Sequence, residues 1–152
     1  MKEDIIGDGL WMGVALDMAK QAAKKGEVPV GAVIIRNGKI IAKAHNMREK
    51  KQNALAHAEV LAIARACRRL RSWRLGDCAM YVTLQPCPMC AGAILNARIP
   101  RLVIGTLSDD GEDQLGIYTK NNLNHSTRVE VLGSAECGEV LKKFFGEKRR
   151  SQ

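Results

Sequence analysis

Aromatic residues are scarce in this chain. Two Trp, two Tyr and two Phe make up 4% of its 152 residues. The core must therefore rest on Val, Ile, Leu, Ala and Met, and the low figure argues against nucleic-acid binding by extensive base stacking, which needs rows of rings. No run approaches the roughly 18–20 apolar residues of a membrane span. Met1 to Leu10 carries Lys2, Glu3, Asp4 and Asp8 in place of a basic segment followed by an apolar one, so no signal peptide is expected and the chain is expected to be cytoplasmic. A disulfide framework is also unexpected, because the cysteines are odd in number: Cys67, Cys78, Cys87, Cys90 and Cys137. Cys67, Cys78 and Cys137 sit among apolar neighbours and read as small buried hydrophobes.

What is present is the composition of an ordinary globular chain, 46% hydrophobic and 26% charged. The length fits one domain over residues 1–152. The net charge of +8 favours a polyanionic partner without requiring one.

Trp11 to Lys25 has helical periodicity, with Trp11, Ala15, Met18 and Ala22 on one face and Gly26 as the stop. Val28 to Ala44 reads as a hairpin. The apolar run Val30 to Ile35 is followed by the tight-turn pair Asn37-Gly38 and a return beginning at Ile40-Ile41. Met47 to Asn53 reads as a loop and Ala56 to Leu70 as a helix. Met80 to Leu84 reads as a strand ended by Pro86, and Pro88 suits the first turn of a helix reaching about Ala97. Strands over Leu102 to Gly105 and Val129 to Leu132 and a closing helix over Glu136 to Lys148 complete the chain. Alternating strands and helices predict an α/β fold with helices on both faces of one sheet. The strand–helix–strand unit starting at Met80 is expected to pair in parallel.

The Cys87-Pro88-Met89-Cys90 pair opens a helix, where the partial positive charge of the N-terminus favours thiolates. Alone it suits a redox pair, half of a structural zinc site, or a catalytic metal site. A four-cysteine site needs a second such pair, which the chain lacks. A lone histidine is more often structural than a ligand. What singles out His57 is its place in His57-Ala58-Glu59, upstream of Pro86-Cys87-Pro88-Met89-Cys90. This combination resembles the signature of zinc-dependent nucleobase deaminases. Three protein ligands, His57, Cys87 and Cys90, would leave a fourth zinc position for water. Glu59 would move protons. Helical residues two apart do not share a face, so Glu59 is expected to flank the water and not to join the ligands.

On these residues the chain is identified as a member of the cytidine deaminase-like superfamily, and it is similar to the bacterial tRNA adenosine deaminases from about Trp11 to Phe145. Glu27 to Val33, Ala44-His45-Asn46, Ser72 to Leu75, Tyr81 to Leu84, Met89 to Ala93, Arg98 to Arg101 and Asn124-His125 carry the likeness. The resemblance implies a three-layer α-β-α fold with a five-stranded mixed sheet. It implies one Zn2+ per chain, a homodimer, and conversion of a flipped-out wobble adenosine to inosine in a tRNA anticodon stem-loop. It places Asn46, Val28, Pro29, Val30, Ala58 and Pro86 at the substrate, with backbone N–H groups near Ala58 and Cys87 turned to the attacking oxygen.

The chain departs from that pattern at Gln85, where the family usually has Glu, and at Asn53-Ala54-Leu55, where Asp-Pro-Thr is frequent. The run Thr106 to Gln114 is acidic and lacks lysine. Four carboxylates there would repel a phosphate path, which favours an alternative: deamination of free nucleobases or nucleosides of guanine, adenine or cytosine type. Two basic clusters, Arg65, Arg68, Arg69, Arg71 and Arg74 and then Lys142, Lys143, Lys148, Arg149 and Arg150, read either as solvated helix faces or as a track for the anticodon stem. A third reading is a zinc-containing binding subunit without activity.

Overall fold

The computed structural model describes residues 2–151, with side chains from Gly7 onward. Met1 and Gln152, the ends of the span read as one domain, lie outside the described residues, as do the side chains before Gly7 on which the leader reading partly turned. The elements are α1 (Lys2–Lys24), β1 (Gly31–Arg36), β2 (Lys39–His45), α2 (Arg48–Lys51), α3 (Ala58–Leu70), β3 (Cys78–Leu84), α4 (Pro88–Asn96) and β4 (Arg101–Thr106). A 3-10 helix (Glu112–Tyr118), β5 (Arg128–Val131) and α5 (Ala135–Arg150) follow.

The five strands form one mixed sheet in the order β2-β1-β3-β4-β5. β1 is antiparallel to both β2 and β3, while β3–β4 and β4–β5 are parallel. Alternation along the strands divides the core in two. Ala32, Ile34, Met80, Val82, Leu102 and Ile104 face α3 and α4. Val33, Ile35, Tyr81 and Val103 face α1 and α5, against Met12, Ala15, Leu16 and Cys137. The expected α-β-α layering is thus present. Both faces of the central strands are covered, so they read as continuous apolar runs.

The hairpin turn is as the sequence predicts, with positive φ at both Asn37 (50°) and Gly38 (69°). Gly31 serves close approach. A Cβ there would lie 2.0 Å from the Ala15 carbonyl oxygen and 2.7 Å from the Ala19 nitrogen, so α1 can lie against the start of β1 only with glycine at this position.

Several boundaries differ from the periodicity. α1 begins at Lys2, nine residues before Trp11, and among the described side chains of that extension it buries Asp8. The loop expected over Met47 to Asn53 contains α2. Its first turn is capped from a distance by buried Glu27, whose carboxylate accepts from the Glu49 and Lys50 N–H groups at 3.0 and 2.9 Å. β3 starts two residues early, at Cys78.

Asp8 anchors α1 to the sheet. It accepts from Arg101 Nη1 and Nη2 at 2.9 and 2.7 Å and from the Tyr81 hydroxyl at 2.5 Å. Burial pushes its pKa up, but the Arg101 and Tyr81 hydrogen bonds outweigh that and hold the carboxyl below its ordinary value. A lowered folded-state pKa contributes stability above the unfolded-state value and loses it as pH falls through the folded one. Asp8→Asn is expected to cost about 3 kcal/mol at pH 7, the low end for a broken buried pair because Glu130 still holds Arg101. The deficit should narrow below about pH 4, as denaturant titrations at several pH values will read. A deficit independent of pH would contradict this account.

Candidate metal centre

α3 and α4 lie side by side on one face of the sheet, and their N-termini converge. β3 delivers the chain to Pro86, Cys87 takes the N-cap of α4, and Pro88 at the first helical position needs no N–H partner. Cys90 follows one turn on, fully buried. His57 takes the N-cap of α3. Among the described residues these three form the one group whose donor atoms all lie within 4.8 Å of one another.

The spacing fits a metal ion. His57 Nδ1 lies 3.7 Å from Cys87 Sγ and 3.5 Å from Cys90 Sγ. Zinc–sulfur bonds of about 2.3 Å and zinc–nitrogen bonds of about 2.0–2.1 Å at a tetrahedral angle set nitrogen and sulfur about 3.6 Å apart. Burial, aided by Arg48, lowers the His57 pKa and keeps the imidazole neutral, the form that ligates. Burial pushes the Cys90 thiol up, and the nearby Glu59 and Cys87 push it further. Only a cation at the centre of the triangle reverses that penalty.

Glu59 is 3% exposed and lies against Cys90. Burial raises its carboxyl to about 7, although its own backbone N–H and Cys90 pull the other way. A group poised near neutrality can both take and give a proton. Glu59 stands outside the donor triangle, as expected, but not for the expected reason. His57 is extended (φ −79°, ψ 148°), so the pair is not related by helical rotation. The first helical residue is Ala58.

Asn46 is buried, and its Oδ1 accepts from the Ala58 N–H at 2.8 Å. It supplies the cap that His57, turned to the sulfurs, does not. The Ala58 N–H is therefore engaged by Asn46. Val28 is partly exposed, while Pro29 and Val30 are buried and Val30 belongs to the core. Pro86 lines a cavity of about 400 Å3 between α4 and the 3-10 helix. The other two histidines are structural. His45 bonds the Asn46 carbonyl at 2.8 Å and Lys25 at 3.3 Å, and His125 bonds the Ile99 carbonyl at 3.1 Å.

The departures from the family pattern have structural roles. Asn53 closes an Asx turn onto the Leu55 N–H at 2.9 Å, leading the chain into His57. Gln85 holds the acidic segment. Its Nε2 donates to the Gly111 carbonyl at 2.7 Å, and its Oε1 accepts from the Ser108 N–H and hydroxyl at 3.2 and 3.1 Å. An amide can do both, whereas a carboxylate could not donate and would add negative charge beside Asp109, Asp110, Glu112 and Asp113. Gln85 and Tyr118 are the residues near the site whose positions sequence spacing did not reveal. Gln85 was visible only as a mismatch, and Tyr118 only as one of two tyrosines.

Cys90→Ala is expected to lower metal affinity by more than about 100-fold, while Glu59→Gln retains one divalent ion per chain by elemental analysis. Loss of the ion in Glu59→Gln would make Glu59 a ligand and contradict its placement outside the triangle.

Comparison with known proteins agrees with this geometry. The family model of MafB19-like deaminases matches residues 7–149. The tRNA-specific adenosine deaminase of Bacillus subtilis is 45% identical over 150 residues, covering 95% of this chain and 92% of that protein. The solved structure of a tRNA:A34 deaminase, studied for A-to-I editing at the wobble position of transfer RNA, matches with a TM-score of 0.83 at 36% identity, over 88% of this chain and 99% of that one. Guanine deaminase from Bacillus subtilis matches less well, with a TM-score of 0.64 at 29% identity over 93% of each chain. The chain belongs to the MafB19-like deaminase family, with the tRNA-specific adenosine deaminases as its relatives.

Proposed function

We propose that this chain is a zinc-dependent hydrolytic deaminase that converts adenosine to inosine at the wobble position of tRNA. The observation that carries the chemistry is the triangle of His57 Nδ1, Cys87 Sγ and Cys90 Sγ at zinc-ligand spacing with buried Glu59 beside it. The choice of substrate rests on the likeness to the wobble deaminase, stronger than that to guanine deaminase.

His57, Cys87 and Cys90 would hold one Zn2+, which would supply Lewis acidity that lowers the pKa of the attacking water. Glu59 accepts the proton of the attacking water, passes it to the ring nitrogen next to C6, and assists the departure of ammonia. Adenosine and water thus become inosine and ammonia. Asn46 presents its amide to the nucleoside while holding the start of α3. Val28, Pro29, Val30, Ala58 and Pro86 line the base pocket.

The enzyme acts as a cytoplasmic homodimer on the anticodon stem-loop. Arg65 and Arg69 have another task. They donate to the carbonyls of Lys43 at 2.7 Å and of Ile40 and Ile41 at 3.0 and 3.1 Å, covering the open edge of β2. The phosphate track therefore draws on the remaining exposed cations, including Arg48, Lys50 and Lys51 of α2 and the last turn of α5. The acidic segment at the rim favours a second reading, deamination of a free nucleobase or nucleoside. No helix among the described residues is long and apolar enough to cross a membrane.

Purified zinc-loaded protein offered a tRNA with adenosine at the wobble position, and in parallel free bases and nucleosides, is expected to form inosine in the tRNA alone. Glu59→Gln should lower that rate by about 10²–10⁴-fold. Ammonia released from small substrates only would overturn the tRNA reading in favour of the second.

A further inference from the structure

The parallel strands β3 and β4 end level, with Leu84 opposite Thr106. The Gln85 N–H extends their ladder by donating to the Thr106 carbonyl at 2.9 Å. Beyond these ends one strand continues into Pro86 and Cys87 of the metal-binding turn, and the other into residues 107–111. The carboxyl ends of parallel strands are where open α/β sheets bind their ligands. Gln85 joins the two exits. It is 6% exposed, and residues 108–111 wind about its one amide. Nε2 donates to the Gly111 carbonyl at 2.7 Å, and Oε1 accepts from the N–H and hydroxyl of Ser108 at 3.2 and 3.1 Å. The Gly111 N–H closes the turn onto the Ser108 carbonyl at 2.9 Å. So close a wrap needs glycine at position 111, where a Cβ would collide with Gln85 Oε1 and lie 2.9 Å from the Ser108 carbonyl oxygen. The chain then enters the 3-10 helix, whose Asp113, Gln114 and Ile117 line the same cavity as Gln85, Pro86 and Pro88.

We propose that Gln85 is a positioning residue for substrate: its side-chain amide fixes residues 108–111 beside the metal-binding turn, and so sets how tightly substrate is held without taking part in the proton transfers. This rests on the deaminase reading of the site. The link to the metal is short, because Gln85 stands two residues before Cys87 and pairs through its backbone with β4. The chemistry of the clamp is specific. Only a side chain of this length with both an N–H donor and a carbonyl acceptor satisfies Gly111 and Ser108 together. An ionised glutamate has the length and the acceptor but no donor, and methionine has the length and neither. Gly111 is buried, so losing the Nε2 donor leaves its carbonyl unpaired and frees the segment. A rim fixed before substrate arrives lowers the ordering cost of binding, whereas a freed rim incurs that cost at every encounter. The loss therefore falls on KM and spares kcat, since Glu59 and the metal ligands lie outside the clamp.

The test uses zinc-loaded full-length protein with two substrates, a tRNA bearing adenosine at the wobble position and free adenosine. The variants are Gln85→Met, Gln85→Glu, Gly111→Ala and the double variant Gln85→Met with Gly111→Ala. On the substrate that wild type turns over, each single variant should raise KM about 10-fold and leave kcat within about two-fold of wild type. Gly111→Ala attacks the clamp from its other side, so it carries the same test should a Gln85 variant fold poorly. Because both changes break one clamp, the double variant should be no worse than the more impaired single one. Amide exchange at Ser108 and Gly111 should quicken in step with KM, while α3 and α4 exchange as in wild type. An unchanged KM, a fall in kcat with KM unmoved, multiplied effects in the double variant, or loss of zinc in both Gln85→Met and Gly111→Ala would overturn the proposal alone. A wild type that deaminates neither substrate nor any other free base or nucleoside would overturn it together with the proposed function.

Discussion

The convergence of two helix N-termini over the ends of β1 and β3 is the constraint on which the rest depends. Three soft donors must sit within a few tenths of an ångström of a tetrahedral edge, and none is adjacent in sequence to all the others. α3 and α4 set that spacing only if the sheet beneath them is in register. The parallel pairing of β3 with β4, from Ala79 opposite Arg101 to Leu84 opposite Thr106, fixes where α4 begins. Asn46, at the end of β2, ties the start of α3 to the same sheet. The triangle is a tertiary product of strand register and helix capping. Burial opposes ionisation of the Cys90 thiol and of the Glu59 carboxyl, so a cation that relieved this would also contribute to folding.

The opposite face of the sheet supplies rigidity. α1 lies against Gly31 at backbone distance and is held by Asp8, which meets Arg101 on β4 and Tyr81 on β3. Arg101 also reaches Glu130 on β5 at 2.8 Å. One guanidinium therefore links a helix and three strands, and those strands deliver the metal-binding turn. This network holds β3, and with it Cys87, through the sheet and not through any contact with the site.

What was legible in the sequence was whatever is local. The hairpin at Asn37-Gly38, the alternation of strands and helices, and the His57-Ala58-Glu59 and Cys87-to-Cys90 spacings declare themselves within a few residues. Hence the layering could be read from local pattern, and the donor set from its resemblance to the signature of zinc-dependent deaminases. Features made by partners distant in the chain could not. Asp8 sits where a helical pattern expects an apolar residue, and Tyr81 and Arg101, the latter 93 residues away, explain it. The cap on α2 comes from Glu27, 22 residues before it. The acidic segment looked like a repulsive rim. Gln85 turns it into an ordered lip whose conformation depends on an amide 23 to 26 residues upstream. Arg65 and Arg69, open in the sequence to reading as a solvated helix face or as part of a track for the anticodon stem, donate to carbonyls of β2, an edge strand whose unpaired groups have their own demand for donors.

The central claim is that His57, Cys87 and Cys90 hold a single zinc ion and leave one position for water. X-ray absorption at the zinc edge of the purified full-length protein tests it most directly. The account predicts one zinc per chain, two sulfur neighbours at about 2.3 Å and two nitrogen or oxygen neighbours at about 2.0–2.1 Å. A first shell of four sulfurs, or one of nitrogen and oxygen alone, would contradict it.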